Sequence, residues 1–516
     1  MANIVGIDLG TTFSALATLN AIGKPEIVPN ADGERLTPSA IFFDEENSDI
    51  IRVGIEAINS RRLNAQRSVR WVKRNMGDPN YRKHIDNKDW TPVELSSLIL
   101  KKLKQDCSVG DDQIHDVVIS VPAHFDEVRR KATMDAGTMA GLNVIGIVNE
   151  PVAAALYYAT TRKVSGKVLV YDLGGGTFDV TVIDVNGQQM DIICSQGDHA
   201  LGGIDFDQKI LELLQQNYRD KFNSELINSD EDRAKYEDEA EDIKKTLSRR
   251  PVAKKILYGP AGNMRVEITR EMFEEAISSL MSRTDILVEV ALEEAGINPS
   301  KIDKVLLVGG STRIPLVQQR LEKMFGSAPE TAVNVDECVA LGAALHAGLT
   351  MLREKSDAVP AGIYNGLKDI NLTDVCNHSY GTICAPIDKE TGRRVIENRI
   401  ILKKNTPLPC ESSQMFYTLT EGQTDLEVTI TQGEDTAVEY VNKIATHKFK
   451  LPPNRPAGRP IKVTYSYDVN QRMHCMFEDV ESGKVLEVDF CLNKDSEMGE
   501  SDVREKNKQL KSFKIE

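Results

Sequence analysis

The chain has 516 residues, 41% of them apolar, and a net charge of −15. That length exceeds one ordinary domain and suits about two to four, and no stretch of about 18 apolar residues offers a membrane span. The acidic balance argues against non-specific binding to nucleic acid or to an anionic membrane.

The chain opens Met-Ala-Asn-Ile-Val-Gly-Ile-Asp, entering a strand without the basic and long apolar stretches of a signal peptide. Ile4-Val-Gly-Ile-Asp-Leu-Gly-Thr-Thr-Phe-Ser14 runs apolar strand, Asp-Leu-Gly, small polar residues and a second strand, which predicts a β-hairpin with a glycine-rich tip. Helices are predicted over 93–107, 127–140, 206–222, 231–249, 270–295 and 316–325, with apolar strands over 117–121, 168–172 and 305–308 among them. This alternation gives residues 1–350 an α/β character with covered sheets. Val168-Leu-Val-Tyr-Asp-Leu-Gly-Gly-Gly-Thr-Phe-Asp-Val180 repeats the plan of the first hairpin. The charged stretch 228–250 taken alone reads as a solvated helix, and 337–347 as a small-residue helix suited to close packing. Pro360, Gly362 and Asn365-Gly366 then mark a break. From 375 to 492 strict alternation replaces helical periodicity, predicting an all-β domain of about 115 residues. The charged tail from Asp495 predicts one short helix beginning near Ser501. The eight cysteines (107, 194, 338, 376, 384, 410, 475, 491) form no Cys-x-x-Cys pair. That spacing fits reduced thiols and a cytoplasmic location better than a disulfide framework or a zinc site.

The two Asp-Leu-Gly hairpins suggest related halves clamping one phosphate chain, because glycine lets backbone N–H groups approach an anion and a neighbouring Asp suits a metal ion. Leu201-Gly-Gly-Ile-Asp-Phe-Asp207 and Leu307-Val-Gly-Gly-Ser-Thr-Arg-Ile-Pro315 add two more glycine turns, each at a strand end and each leading to a helix whose N-terminus favours phosphate. No Walker A signature is present, which excludes a P-loop NTPase. Phosphoryl transfer also needs carboxylates and a cation. Asp8, Asp172, Asp179 and Glu150 supply the first; Lys73 is the basic candidate, though spacing alone does not separate it from Arg70 and Arg74.

At this point the chain resembles the seventy-kilodalton heat-shock chaperone family (DnaK-like) over nearly its whole length. The resemblance is carried by Ile7-Asp-Leu-Gly-Thr-Thr12, Val121-Pro-Ala-His-Phe125, Asn149-Glu-Pro151 with Ala153-Ala-Ala155, Tyr171-Asp-Leu-Gly-Gly-Gly-Thr-Phe-Asp179, Gly202-Gly-Ile-Asp-Phe-Asp207 and Gly309-Gly-Ser-Thr-Arg-Ile-Pro315. The linker Asp369-Ile-Asn-Leu-Thr-Asp-Val-Cys376 and the segment Pro92-Val-Glu-Leu-Ser-Ser-Leu98 are most similar to the specialised bacterial HscC branch. The resemblance implies an α/β fold: an actin-like, two-lobed ATPase domain over 1–366, a linker over 367–375, an all-β sandwich that binds unfolded or extended peptides over 376–494, and a truncated helical lid over 495–516. It implies ATP/ADP, Mg²⁺ and K⁺ as cofactors. A J-domain co-chaperone and a nucleotide-exchange factor are the implied partners beside the peptide.

By motif match, Asp8, Asp172, Asp179 and Glu150 arrange metal ions and water. Thr11, Thr12 and Thr177 hold the terminal phosphates and Lys73 assists hydrolysis. Gly10, Phe13, Gly174, Gly175, Gly176, Gly202, Gly203, Gly309, Gly310, Ser311, Arg313 and Asp336 surround the nucleotide. Glu241, Lys244, Lys245 and Ser248 fall where the family grips adenosine, which draws the charged helix into the site. Pro122 and Arg130 match the family's switch, and Ile370, Leu372 and Asp374 its linker. Phe416, Leu419, Leu426, Val428 and Ala385 fall near the peptide pocket, although alternating apolar residues in a strand are ordinarily core. The chain also departs from the family. Its linker has two apolar residues where the family has four, which predicts weaker docking. Gly146 stands where family members carry an arginine used by J-domain co-chaperones. Two other functions would share some of these residues: an actin-fold metabolite kinase, which needs no β domain, and a non-enzymatic binder with one dedicated partner.

Overall fold

The protein is described by a computed structural model covering residues 4–107, 116–162, 165–331, 334–354, 357, 359–387, 392–469, 471–489, 506–510 and 513–516. The α/β part is built on two six-stranded sheets of the same plan. In the first, Val5–Asp8 and Phe13–Leu19 form an antiparallel hairpin, flanked by the parallel strands Asp116–Val121 and Asn143–Asn149. In the second, Gly166–Leu173 and Phe178–Asn186 form the hairpin, flanked by the parallel strands Lys304–Val308 and Glu330–Thr331 and by antiparallel Gln189–Asp198. The parallel strands are covered on both faces, so they read as unbroken apolar runs; Val117, Val118, Ile119 and Val121 are all fully buried.

Two helices, Glu150–Arg162 and Cys338–Glu354, share one core with both sheets. Their small residues make this possible. A Cβ on Gly342 would lie 1.8 Å from the Ala153 carbonyl oxygen, and one on Gly6 would lie 2.0 Å from the Ala344 nitrogen. Helix Pro92–Asp106 starts on a capping box: the Thr91 hydroxyl accepts from the Glu94 N–H at 3.2 Å and the Glu94 carboxylate accepts from the Thr91 N–H at 2.9 Å. The charged helix Asp230–Arg249 is capped by Ser229 and buries Ala234, Tyr236, Ala240, Ile243 and Leu247 in the second core. It is therefore amphipathic rather than solvated all round. The helix expected over 270–295 is interrupted at Ile277, whose φ of −93° and ψ of 0° lie in the bridge region.

The alternating region forms two four-stranded antiparallel sheets around one core that includes Ile430, Phe449, Tyr465 and Phe477. Between the two parts, Asn371–Thr373 joins the second α/β sheet as a parallel strand on Gln189–Asp198. The thin linker is docked. Strand alternation turns only Ile370 and Leu372 toward the core. Asn371 and Thr373 point outward, where Asn371 Nδ2 donates to Gln189 Oε1 at 2.6 Å and Gln189 Nε2 donates to Thr373 Oγ1 at 3.4 Å. Polar edge contacts thus stand at the two positions whose lack of apolar residues predicted weaker docking, and both positions face away from the core.

The described part of the tail packs on the α/β part. Residues 506–510 are helical, and Lys514–Ile515 pairs in parallel with Ile50–Val53, extending a sheet that also holds Ala40–Phe43 and Ser68–Arg70. Leu510 and Ile515 are buried in the core beneath the first sheet, and the Phe513 ring sits 5.6 Å from that of Trp90. The described part of the tail therefore covers the α/β part rather than the sandwich. The helix start expected near Ser501 falls outside the described residues.

Candidate functional site

The two glycine-rich hairpin tips meet face to face. A Cβ on Gly175 would lie 2.1 Å from Thr12 Oγ1, and one on Gly176 would lie 2.6 Å from Thr11 Oγ1. Bare backbone at these positions is what lets the tips approach. The Ser39 hydroxyl braces the first tip by donating to Gly10 O at 2.7 Å. The second is braced from behind: the N–H groups of Gly203 and Ile204 donate to the carbonyls of Gly174 and Gly175 at 3.0 and 2.9 Å, and Ser311 Oγ donates to Gly174 O at 2.9 Å. Gly202 lies so close that a Cβ there would be 2.7 Å from Gly175.

Beside the tips lies a cleft of about 580 Å³. Its walls include Asp8, Gly10, Thr11, Thr12, Phe13, Lys73, Glu150, Asp172, Gly174, Gly175 and Thr177, together with Glu241, Lys244, Lys245, Ser248, Gly309, Gly310, Ser311, Arg313 and Asp336. Gly176, Gly202, Gly203 and Asp179 lie outside the wall and support it. Trp71, Asp207, Arg249 and Ile314 also line the cleft. Of these, Asp207 and Ile314 lie within the glycine-turn motifs read from the sequence, whereas Trp71 and Arg249 were not singled out.

Trp71 explains how one base is separated from its neighbours. Its φ of 60° is left-handed and opens the tight turn Val72–Asn75. Lys73 then points inward, 4% exposed and ion-paired with Glu150. Arg70 turns to Asp238 and Glu241, at 3.0 and 2.8 Å, and Arg74 to Asp205 and the Gly176 carbonyl. Both arginines thus tie the first half of the α/β part to helices of the second.

The carboxylates form an electrostatic cluster. The Ser120 hydroxyl donates to Asp8 at 2.8 Å and the His124 backbone N–H donates to Asp179 at 3.1 Å. Burial, followed by the Glu150 charge, pushes Asp8 up to about 7 and Asp179 up to about 8, against the pull of Lys73. Asp172 is raised well above the usual carboxylate range by burial and by Glu150, Asp179 and Asp8. Buried carboxylates that repel one another favour a cation among them. Among the described residues no three His, Cys, Asp or Glu side chains form a ready-made metal cage. Mg²⁺ ordinarily takes one or two carboxylates and completes its shell with water and phosphate, so this donor set fits it. On the opposite wall Lys244 donates to Asp207 at 2.7 Å and to Gly203 O at 2.8 Å. Burial works to raise Glu241, but Arg70 and Lys245 outweigh it and hold Glu241 down to about 2.

The sandwich carries a second cavity, of about 630 Å³, lined by Ala385, Phe416, Leu419, Leu426 and Val428 among mainly apolar neighbours. Arg394 spans it, donating to Ala385 O at 3.3 Å and Leu419 O at 3.4 Å.

A polar layer joins the sandwich to the α/β part. Glu127 accepts from the hydroxyls of Tyr380 and Tyr467 at 2.7 and 2.6 Å. Fully buried Arg130 donates to Asn149 at 2.7 Å and to Gln471, and Gln471 donates in turn to Asp374. Pro122 is at the turn below, its carbonyl accepting from the Phe125 N–H at 3.1 Å. His378 contacts Phe125 O at 3.3 Å, its ring 5.1 Å from that of His124. Gln471 holds a left-handed φ of 59°, and no sequence pattern marks it out. Near Gly146, Arg472 of the sandwich donates to Ile145 O at 2.6 Å.

Comparison with known proteins agrees with this architecture. The family model described as "Hsp70 protein" matches residues 4–87 and 78–516. Two relatives, each a chaperone protein DnaK, from Thermotoga neapolitana and Thermotoga petrophila, are 36% identical over 491 residues, covering 93% of this chain and 79% of theirs. A match of that extent, on a chain with two meeting glycine hairpins, a lysine–carboxylate cleft and a docked β domain, shows that the chain belongs to the Hsp70 family.

Proposed function

We propose that the chain hydrolyses ATP in the first cleft and uses its nucleotide state to set how tightly the second cavity holds an unfolded or extended stretch of polypeptide. Membership of the Hsp70 family makes it an ATP-dependent chaperone and an ATPase. The finer reading is an actin-like, two-lobed nucleotide domain over 1–366, a linker over 367–375, a peptide-binding sandwich over 376–494 and a tail over 495–516. The shared plan of the two sheets supports the two-lobed reading. The linker residues support the HscC-like branch; the cysteine spacing favours a cytoplasmic location, and family membership suggests a J-domain co-chaperone and an exchange factor as partners.

In this reading adenosine lies against Glu241, Lys244, Lys245 and Ser248, with Gly309, Gly310, Ser311, Arg313 and Asp336 beside it. The phosphates lie between the tips, where Thr11, Thr12, Thr177 and the tip backbone donate hydrogen bonds. Lys73, held by Glu150, presents positive charge to the terminal phosphate, and Glu150 and Asp179 orient water. Asp8 and Asp172, with Asp179 behind them, are the carboxylates that would hold Mg²⁺, and that ion together with K⁺ would neutralise charge on the phosphate oxygens. Little covalent chemistry is then required of the protein beyond positioning and charge.

The observation that carries this reading is the linker strand. Asn371–Thr373 belongs to the sheet whose hairpin tip lines the cleft, and the next residue, Asp374, is bonded by Gln471 of the sandwich. Single-turnover hydrolysis with and without a short apolar peptide tests it. The expected result is phosphate release that peptide accelerates. No release would overturn the ATPase reading, and release indifferent to peptide would overturn the coupling.

A further inference from the structure

Two cysteines meet where the linker enters the sandwich. Cys376 Sγ and Cys410 Sγ are 3.6 Å apart. The backbone around them is firmly set. The Cys376 N–H donates to Thr406 O at 2.9 Å, the Asn405 N–H donates to Cys376 O at 2.7 Å, and the Leu408 N–H donates to Asp374 O at 2.8 Å. Val375 bridges Pro407, and Cys410 begins the strand Cys410–Tyr417 opposite Tyr467. The segment leaving the linker is thus zipped against the segment that leads into this strand. A disulfide needs about 2.05 Å between sulfurs, so bond formation asks only for a small closing movement of two side chains already in contact.

The two thiols are not equivalent. Cys376 is fully buried, while Cys410 is partly exposed. The contact with Cys376, in which either sulfur can donate, together with the Tyr467 backbone N–H holds the Cys410 thiol below its ordinary value against the effect of burial. Cys376 is correspondingly pushed up. Thiolate character and access therefore coincide on Cys410, the combination that makes a cysteine reactive.

We propose that Cys376 and Cys410 are a reversible redox site, oxidised to a disulfide by hydrogen peroxide. Cys410 thiolate attacks the peroxide O–O bond, giving Cys410 sulfenic acid and releasing hydroxide, which is protonated to water. The Cys376 sulfur then attacks Cys410 Sγ, the S–O bond breaks, and a second water leaves. The two thiols lose two electrons in total, and the peroxide gains them. A dithiol reverses the reaction by exchange and is itself oxidised. The bond would tie the residues that follow the linker to the strand that carries Phe416, so the base of the sandwich and the end of the linker move as one body. This holds whether or not the sandwich binds peptide.

The full chain treated with a small molar excess of hydrogen peroxide, then digested without reduction and mapped by mass spectrometry, tests the site. The expected result is a 376–410 cross-link that forms at least about tenfold faster in the folded protein than in urea, because folding holds the thiols together, and that dithiothreitol removes. In C376S, dimedone should label Cys410; in C410S, Cys376 should stay unlabelled. No cross-link in the folded protein, equal rates with and without urea, or dimedone on Cys376 instead of Cys410 would each overturn the proposal.

Discussion

Lys73 is one of three bases within five residues, and its burial against Glu150 sets it apart. Lys73→Ala removes the only one of the three that reaches the deep carboxylates. Loss of a single preorganised charge in a dry site costs about 3 kcal/mol of transition-state stabilisation. Single-turnover hydrolysis should fall by about a hundredfold or more, with ATP affinity changed only a few-fold, as measured by isothermal titration. At the other cavity Arg394 is exposed and holds two carbonyls by long hydrogen bonds, so its contribution is small. Arg394→Ala should speed release of a labelled peptide by about three- to tenfold, mostly through the off-rate. The glycine and Asp-Leu-Gly residues around the first cleft were readable because such turns are local devices with few alternatives. Which base turns inward was not readable. That depends on a left-handed Trp71, a conformation that sequence disfavours for a bulky residue and that only the surrounding packing enforces.

Among elements, the interface layer responds to acid. Burial, followed by Lys404 and His199, holds His124 down to about 4 while Asp198 and Asp126 pull the other way, and burial, His124, Arg130 and Lys404 hold His378 well below 6.5. For each histidine the docked state binds fewer protons than an exposed imidazole would. Its contribution to docking is complete above pH 6.5 and is lost as pH falls toward 4, by about 3 kcal/mol for His124. Asp374 works in the opposite sense. Burial raises it to about 6, so its docked state binds the extra proton and its contribution is lost as pH rises from about 4 through 6. Asp374 and one histidine nearly cancel, which leaves the second histidine to decide the sign. The docked fraction should fall between pH 7 and 5, seen as an increase in radius of gyration by small-angle scattering, and His378→Asn should flatten that fall. A docked fraction that rises on acidification would show that Asp374 dominates. The strands and most helices of this interface follow from periodicity, but the layer itself does not. Glu127, Tyr380, Tyr467 and Gln471 come from distant parts of the chain, and nothing in their spacing pairs them.

Over the whole molecule, the least legible feature is the tail. Its charge suggested one short helix, which the family resemblance made the beginning of a lid, whereas Leu510, Phe513 and Ile515 belong to the α/β core beside Trp90. Local pattern predicts a helix but does not say which surface it covers. Leu510 is 2% exposed, so Leu510→Ala should cost about 2–4 kcal/mol of local stability. Hydrogen exchange should then accelerate in Ile50–Val53 and Pro92–Asp106 while the sandwich strands stay protected. The sandwich is consequently fastened at both of its ends, through Asn371–Thr373 to one half of the α/β part and through Lys514–Ile515 to the other. A domain hung from one linker can swing out like a flag; one sewn at both edges closes a ring. Its range of travel is then set by the shorter of two tethers, and cutting either would free the sandwich from one half of the fold while the other half still held it.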